Sequence, residues 1–226
     1  MKPTVTLDRV QAPDGSWLVL QEHDGTYSMR IDGVPLMSTN AHASEETMAE
    51  LACQNLESKA PRVLIGGLGF GFTLKRVLEL LPGQGSVTVA ELLPVIVEWN
   101  RKFLRSINGD PLEDKRTTVR ELDVYDVIKS SPARHFDAIL LDVDNSPDPL
   151  VQQGNERLYS TRGLRLTQAA LAPHGRIVYW SANVDERFER NLRSVFRHVQ
   201  AIPAKSYPQA KRFTHMLYLA SNGALD

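Results

Sequence analysis

Val63-Leu64-Ile65-Gly66-Gly67-Leu68-Gly69-Phe70-Gly71 runs directly into the amphipathic stretch Thr73 to Leu81, and this junction decides the fold of the 226-residue chain. The short apolar run reads as a strand buried on both faces. Glycines after it let the backbone turn tightly and approach a ligand, while free N–H groups at the start of the next helix attract electron-rich atoms. Glu91 closes the next apolar run, Val87-Thr88-Val89-Ala90, and stands 20 residues beyond Gly71. In an open α/β sheet an acidic side chain at that place meets ribose hydroxyls. Gly66, Gly67, Gly69, Gly71 and Glu91 are therefore expected to hold a nucleoside-containing ligand. A dinucleotide fingerprint beginning at Gly67 and Gly69 would need Gly or Ala at position 72, where the chain has Phe72. That disfavours NAD.

Outward from this junction the βα alternation continues. A helical pattern covers Pro94 to Leu104, and strand-like runs follow at Thr118 to Leu122, Ala138 to Leu141 and Arg176 to Trp180. A helix near Thr161 to Leu171 is expected to stop at Pro173-His174-Gly175. Such alternation predicts a mostly parallel sheet covered on both faces. After a helix over Asp185 to Phe196, the runs Val199 to Ile202 and His215 to Leu219 are joined too briefly for a crossover helix, so they should pair antiparallel at the edge. Before the junction, residues 4 to 38 alternate apolar and polar types, with turn signals at Asp14-Gly15, Asp24-Gly25 and Asp32-Gly33. Ser44 reads as the N-cap of a helix carrying Met48, Leu51, Ala52 and Leu56. The expected fold is α/β: a Rossmann-like, doubly wound seven-stranded sheet with an antiparallel C-terminal hairpin (residues 44–226), preceded by a small β-hairpin appendage (residues 1–43).

Composition narrows the function. Hydrophobic residues make up 42% and charged residues 23%, and 26 Lys plus Arg face 27 Asp plus Glu, for a net charge of −1. This balance suits a folded soluble protein and removes any global attraction to nucleic acid or anionic membrane. Small-molecule chemistry is expected, with neither nucleic acid nor membrane as partner. Cys53 is the single cysteine, which excludes an intrachain disulfide. Met1 to Thr6 lack a signal-peptide apolar run, so a cytoplasmic location is expected. The six histidines show no metal-type pairing, and no metal site is expected. Arg187, Arg190, Arg193 and Arg197 share a helical face, followed by Lys205, Lys211 and Arg212. A solvated surface is the plainer reading of these than a phosphate-binding one.

Asp142 ends the fourth parallel strand, where polar side chains project into the ligand crevice of open α/β sheets. The loop Val143-Asp144-Asn145-Ser146-Pro147-Asp148-Pro149 follows, and its Asp144 and Asp148 suit either loop capping or chemistry. A calcium loop fails, because no Gly stands sixth and Gln153 stands twelfth counting from Asp142.

The N-terminal hairpins, Ser44-Glu45-Glu46 entering a helix, the glycine loop, Val89-Ala90-Glu91-Leu92, Asp123 after a third strand, and Asp137 to Asp142 occur in one order. That ordered set resembles the class I S-adenosylmethionine-dependent methyltransferases, within them the spermidine synthase-like branch, over nearly the whole chain. The resemblance implies that Gly66 to Gly71 cradle the methionine part of the donor, Glu91 binds its ribose, and Asp123 faces the adenine amino group. It further implies that Asp142 acts on an amine acceptor and that the protein forms a homodimer; Asp144 is the second catalytic candidate, on the chemistry of the loop alone. Spermidine synthases carry an Asp in the glycine loop where this chain has Gly69, and an acceptor-side Tyr and acidic residues near the first helix that find no clear counterpart in Ala43-Ser44-Glu45-Glu46-Thr47. Intact S-adenosylmethionine has a carboxylate that a loop without that Asp repels less, which ranks methyl transfer slightly above aminopropyl transfer from the decarboxylated donor. The rival readings are a non-catalytic nucleoside- or polyamine-binding module and, behind it, an NAD-dependent oxidoreductase.

Overall fold

A computed structural model describes residues 3–143 and 156–223. Asp144 and Asp148 lie outside the described residues. Strands β1 (Val5–Gln11), β2 (Trp17–His23), β3 (Thr26–Ile31) and β4 (Val34–Ser38) form an antiparallel meander in sequence order. Asp24-Gly25 and Asp32-Gly33 both take positive φ, as two-residue hairpin turns require.

The second sheet contains β5 (Arg62–Gly66), β6 (Ser86–Ala90), β7 (Thr117–Arg120), β8 (Phe136–Leu141), β9 (Leu171–Ser181), β10 (His198–Ala204) and β11 (His215–Ser221). Its order is β10-β11-β9-β8-β5-β6-β7, parallel from β9 to β7, with β11 antiparallel to both β9 and β10. This is the seven-stranded arrangement expected from the alternating pattern. Side chains alternate between two cores, as the two-residue strand period demands. Val63, Ile65, Val89 and Leu140 enter one, with α1 (Ala43–Cys53), α2 (Phe72–Leu80) and α3 (Pro94–Trp99); Leu18, Leu20 and Met29 of the meander join it. Leu64, Ile139, Leu141 and Tyr179 enter the other, with α5 (Val124–Ser130), α7 (Thr161–Ala170) and α8 (Glu186–Val195). Two short helices, α4 (Arg105–Asn108) and α6 (Glu156–Tyr159), complete the helical set. The buried Trp99 of α3 ties that helix to the meander, its Nε1 donating to Asp8 Oδ2 of β1 at 2.8 Å.

Four local expectations change. Ser44 is not the N-cap of α1: His42 holds that place, and the Ser44 hydroxyl instead donates to Glu45 Oε2 at 2.7 Å. The helical pattern starting at Pro94 passes through a wider turn at Asn100–Leu104 and continues to Asn108, where Gly109 takes a left-handed φ. Helix α5 was not expected; Asp123 caps it by accepting from Tyr125 N at 2.8 Å. Strand β9 begins at Leu171 and includes Pro173-His174-Gly175, because its pairing with β8 slips between Phe136 and Ala138 and absorbs them.

On α8, Arg190 and Arg193 pair with Glu186 and Glu189, in keeping with a solvated helix face. No described helix is long and apolar enough to cross a membrane. Among the described residues no group of three or more His, Cys, Asp or Glu is arranged to hold a metal ion.

Candidate active site at the carboxyl edge of the sheet

A cavity of about 650 Å³ opens where β5, β6, β8 and β9 end, roofed by the meander and the start of α1. Sheet order divides it in two. Gly67, Gly69, Glu91 and Asp123 belong to the β5-β6-β7 half, Trp180, Asn183 and His215 to the β9-β11 half, and Asp142 stands between them at the end of β8.

The glycine loop is held from three sides. Gly67 N donates to Ala90 O at 2.9 Å, and Asp142 N donates to Gly66 O at 3.0 Å. Gly67 has φ +89°, and a Cβ there would stand 2.1 Å from the Asp142 carbonyl oxygen. From the third side, Asn100 Nδ2 donates to Gly69 O at 2.8 Å and Asn108 Nδ2 to Phe70 O at 3.0 Å. Sequence reasoning missed both of these buried asparagines. Their signal was present: Ile96, Asn100, Leu104 and Asn108 fall four residues apart, so two amides interrupt a buried stripe. Gly67 and Gly69 line the cavity, whereas Gly66 packs behind it against Leu141 and Val124, and Gly71 against Asn100 and Asn108.

Glu91 is buried in the cavity wall. Its Oε2 accepts from Leu68 N at 2.8 Å and its Oε1 from Leu93 N at 2.9 Å. Burial raises its pKa, and these backbone bonds oppose the rise. Each oxygen keeps a further lone pair, so the carboxylate can still accept two hydroxyl protons. Asp123 also lines the cavity, with Oδ1 committed to capping α5 and Oδ2 paired with Arg157. The half-exposed Leu92 and Leu122 supply apolar surface beside these acids.

Asp142 is a strongly perturbed acid of the cavity. Desolvation, aided by the charge of Glu45, lifts its pKa to about 8. Glu45 is itself pushed up by burial, against a hydrogen bond from Ser44. Sequence reasoning missed Glu45 as a site residue, because Ala43 to Thr47 do not match the acceptor-side pattern of spermidine synthases. Its place in the first turn of α1 puts it in the cavity wall, where its charge acts on Asp142. The position where spermidine synthases carry an Asp is walled by the end of Met37: a Cβ on Gly69 would lie 2.9 Å from its methyl carbon Cε and 3.5 Å from its sulfur. Phe72, which disfavoured NAD, stacks on His42 with ring centroids 4.3 Å apart.

The fold is like that of solved spermidine synthases. A spermidine synthase from Thermotoga maritima superimposes with a TM-score of 0.77 at 20% identity, covering 98% of this chain and 74% of that one. A spermidine synthase in complex with the transition state analogue AdoDATO gives 0.76 at 18% identity, covering 98% and 73%. In sequence, a polyamine aminopropyltransferase of Mycobacterium tuberculosis is 32% identical over 121 residues, 53% of this chain but 22% of that protein. Polyamine aminopropyltransferase 2 of Streptomyces coelicolor is 32% identical over 128 residues, 56% and 22% of the two chains. A spermine synthase of Saccharomyces cerevisiae is 28% identical over 140 residues, 60% and 44%. The aligned regions thus span between about a fifth and a half of these relatives' lengths. No family model matches the chain. These relatives and neighbours bear out the resemblance to the spermidine synthase-like branch. Their names speak of aminopropyl transfer, so the ranking of methyl transfer first finds no support in them.

Proposed function

We propose that this protein transfers an aminopropyl group from decarboxylated S-adenosylmethionine to a small amine. The observation that carries the reading is the carboxylate pair Asp142 and Glu45, set beside a backbone-lined pocket whose Glu91 can take ribose hydroxyls. The cavity's volume suits a nucleoside with a short tail and a small second substrate, and Leu92 and Leu122 offer apolar walls for a flat base. Gly67 and Gly69 would leave room for the donor's sulfur-bearing tail, and Asp123 would face the base edge.

The donor's sulfonium makes its thioether a good leaving group, so the protein has to supply position and one proton acceptor. An acceptor amine reaches the site as an ammonium ion. Asp142, ionised, takes one proton from it and becomes a neutral acid. The freed lone pair forms a bond to the carbon attached to sulfur as the carbon–sulfur bond breaks, and its electron pair leaves on the thioether. Glu45 keeps a second negative charge near the incoming cation. An acid with pKa near 8 is well matched to this task, because it is neither too weakly basic nor fully protonated at neutral pH.

A mass-spectrometric screen of each donor against a panel of amines tests the reading. A gain of one aminopropyl unit is expected with the decarboxylated donor. A methyl gain with the intact donor overturns the choice of group, and tight donor binding without any product supports the non-catalytic module instead.

A further inference from the structure

Successive residues of a regular strand point to opposite faces, yet Leu36 and Met37 of β4 both line the cavity. A bulge is the reason. Met29 of β3 pairs with Met37 and Arg30 with Pro35, which leaves Leu36 as the extra residue on β4. The other meander residues that line the cavity, Leu18 and Met29, are buried and apolar too. Met37 reaches farthest toward the glycine loop. A Cβ at Gly69 would lie 2.9 Å from Met37 Cε and 3.5 Å from Sδ, so the thioether end fills the space where a side chain on residue 69 would start. Gly69 is held there by Asn100, whose Nδ2 donates to its carbonyl oxygen. The acids Asp142 and Glu45 line the same cavity from the end of β8 and the first turn of α1.

Resting on the donor placement proposed above, we infer that Met37, backed by Leu36 and Met29, receives the methyl group on the donor's sulfur and so leaves the aminopropyl arm to face Asp142 and Glu45. Sheet order supplies the path. With the base beside Asp123 and the ribose on Glu91, the chain that leaves the ribose continues from β7 and β6 to β5, at about 4.8 Å per strand. Glu91 Oε2 already accepts from Leu68 N, the neighbour of Gly69. The sulfur, one carbon beyond the ribose ring, thus comes beside Gly69 and Met37. Besides the adenosyl group it carries a methyl and an aminopropyl arm. The methyl is uncharged and gains by contact with a soft apolar wall. The arm ends in an ammonium, which that wall can neither hydrogen-bond nor neutralise and which the two carboxylates attract. Sorted in this way, the carbon–sulfur bond turned toward Asp142 is the aminopropyl one. The acceptor's lone pair forms the new nitrogen–carbon bond there, the pair from the broken bond stays on sulfur, and methylthioadenosine remains with its methyl on Met37. The carboxylate on the arm of intact S-adenosylmethionine would turn toward the same acids and be repelled.

Calorimetric titration of the full chain with methylthioadenosine and with adenosine, which share base and ribose, isolates the contact to the sulfur's methyl. The unsubstituted protein is expected to bind the thioether about tenfold more tightly, the size of a small buried apolar group. Met37→Gln keeps the length of the side chain but makes its end polar. It should shrink that margin to about threefold or less while adenosine affinity holds, and Met37→Leu should retain the margin. A margin that Met37→Gln leaves intact overturns the inference. So does a loss shared equally by adenosine and the thioether, because such a change reaches the whole pocket and not the methyl. Should Met37→Gln fail to fold, Met37→Ala removes the same thioether end and is held to the same two outcomes. Turnover separates this inference from the reading beneath it. Aminopropyl gain in the mass-spectrometric screen with no thioether margin in the unsubstituted protein overturns the role of Met37 alone. A margin that responds to Met37 as expected, with no product from any donor, supports that role and counts against aminopropyl transfer. Binding of neither nucleoside overturns both.

Discussion

Gly67 and Asp142 share one point in space: a single added methyl on Gly67 would lie 2.1 Å from the Asp142 carbonyl oxygen. The curve of the glycine loop and the position of the acid at the end of β8 are thus one structural fact. Gly67→Ala meets a rigid backbone atom as well as a left-handed φ of +89°. A loss of about 2–4 kcal/mol in unfolding free energy is expected, from strain and from displacement of the strand end. Gly83→Ala is the control, since nothing lies within 4 Å of a Cβ there. Equal denaturation midpoints for the two variants would show that the close approach carries no energy.

Glu91 binds with both oxygens already in use, so its amide analogue is informative. In Glu91→Gln one of the two backbone donors, Leu68 N or Leu93 N, faces an NH₂ group instead of an oxygen. Stability should fall by about 1–3 kcal/mol through that unsatisfied pair. Affinity for the thioether product should fall about 10- to 100-fold as an acceptor for the ribose is lost. Titration calorimetry reads the second effect directly. Unchanged affinity would remove Glu91 from the donor site.

Asp142 links activity to stability through pH. Its folded pKa, about 8, lies above the ordinary value of 3.8, so the folded state binds more protons than the unfolded chain between those limits. Stability therefore falls as pH rises from about 4 to about 8, and the contribution is fully lost once Asp142 ionises. Asp142→Asn cannot titrate, and its stability relative to the parent should improve steadily over that window. Activity should move the opposite way. The parent's kcat/KM should climb as the carboxylate forms, and the variant should lose about 10²- to 10⁴-fold. Thermal melts and rates across the window test both, and parallel stability curves would show that Asp142 is not held neutral by the fold.

The legible parts of this protein were those where local chemistry and fold agree. Val63 to Gly71 announced strand, turn and helix together, and Glu91 followed at the distance the sheet imposes. The Asp24-Gly25 and Asp32-Gly33 turns were equally plain, since positive φ favours those residues. Illegible parts depend on partners distant in sequence. Asn100 and Asn108 matter because they meet carbonyls about thirty to forty residues away. Asp123 read as a ligand contact, yet much of its bonding capacity goes to Tyr125 N and Arg157, a cap and an ion pair that only the folded chain assembles. Met37 at Gly69 belongs to the same class, because a meander strand had to fold over the loop before the two could touch.

Glu45 offers the sharpest check on the carboxylate pair. Its charge is the second cause, after desolvation, of the raised Asp142 pKa. Glu45→Gln removes that charge and keeps an oxygen for the Ser44 hydroxyl, which now donates to Glu45 Oε2. The rising limb of the parent's kcat/KM profile should then move to lower pH. It should remain above the usual carboxylate range, because desolvation, the larger cause, is unchanged. At the same time KM for a cationic amine should rise several-fold as one of two nearby negative charges is lost. A variant whose KM rises while its pH profile stays fixed would show that Glu45 meets the substrate without facing Asp142. A profile that moves with KM unchanged would confine Glu45 to tuning the proton acceptor.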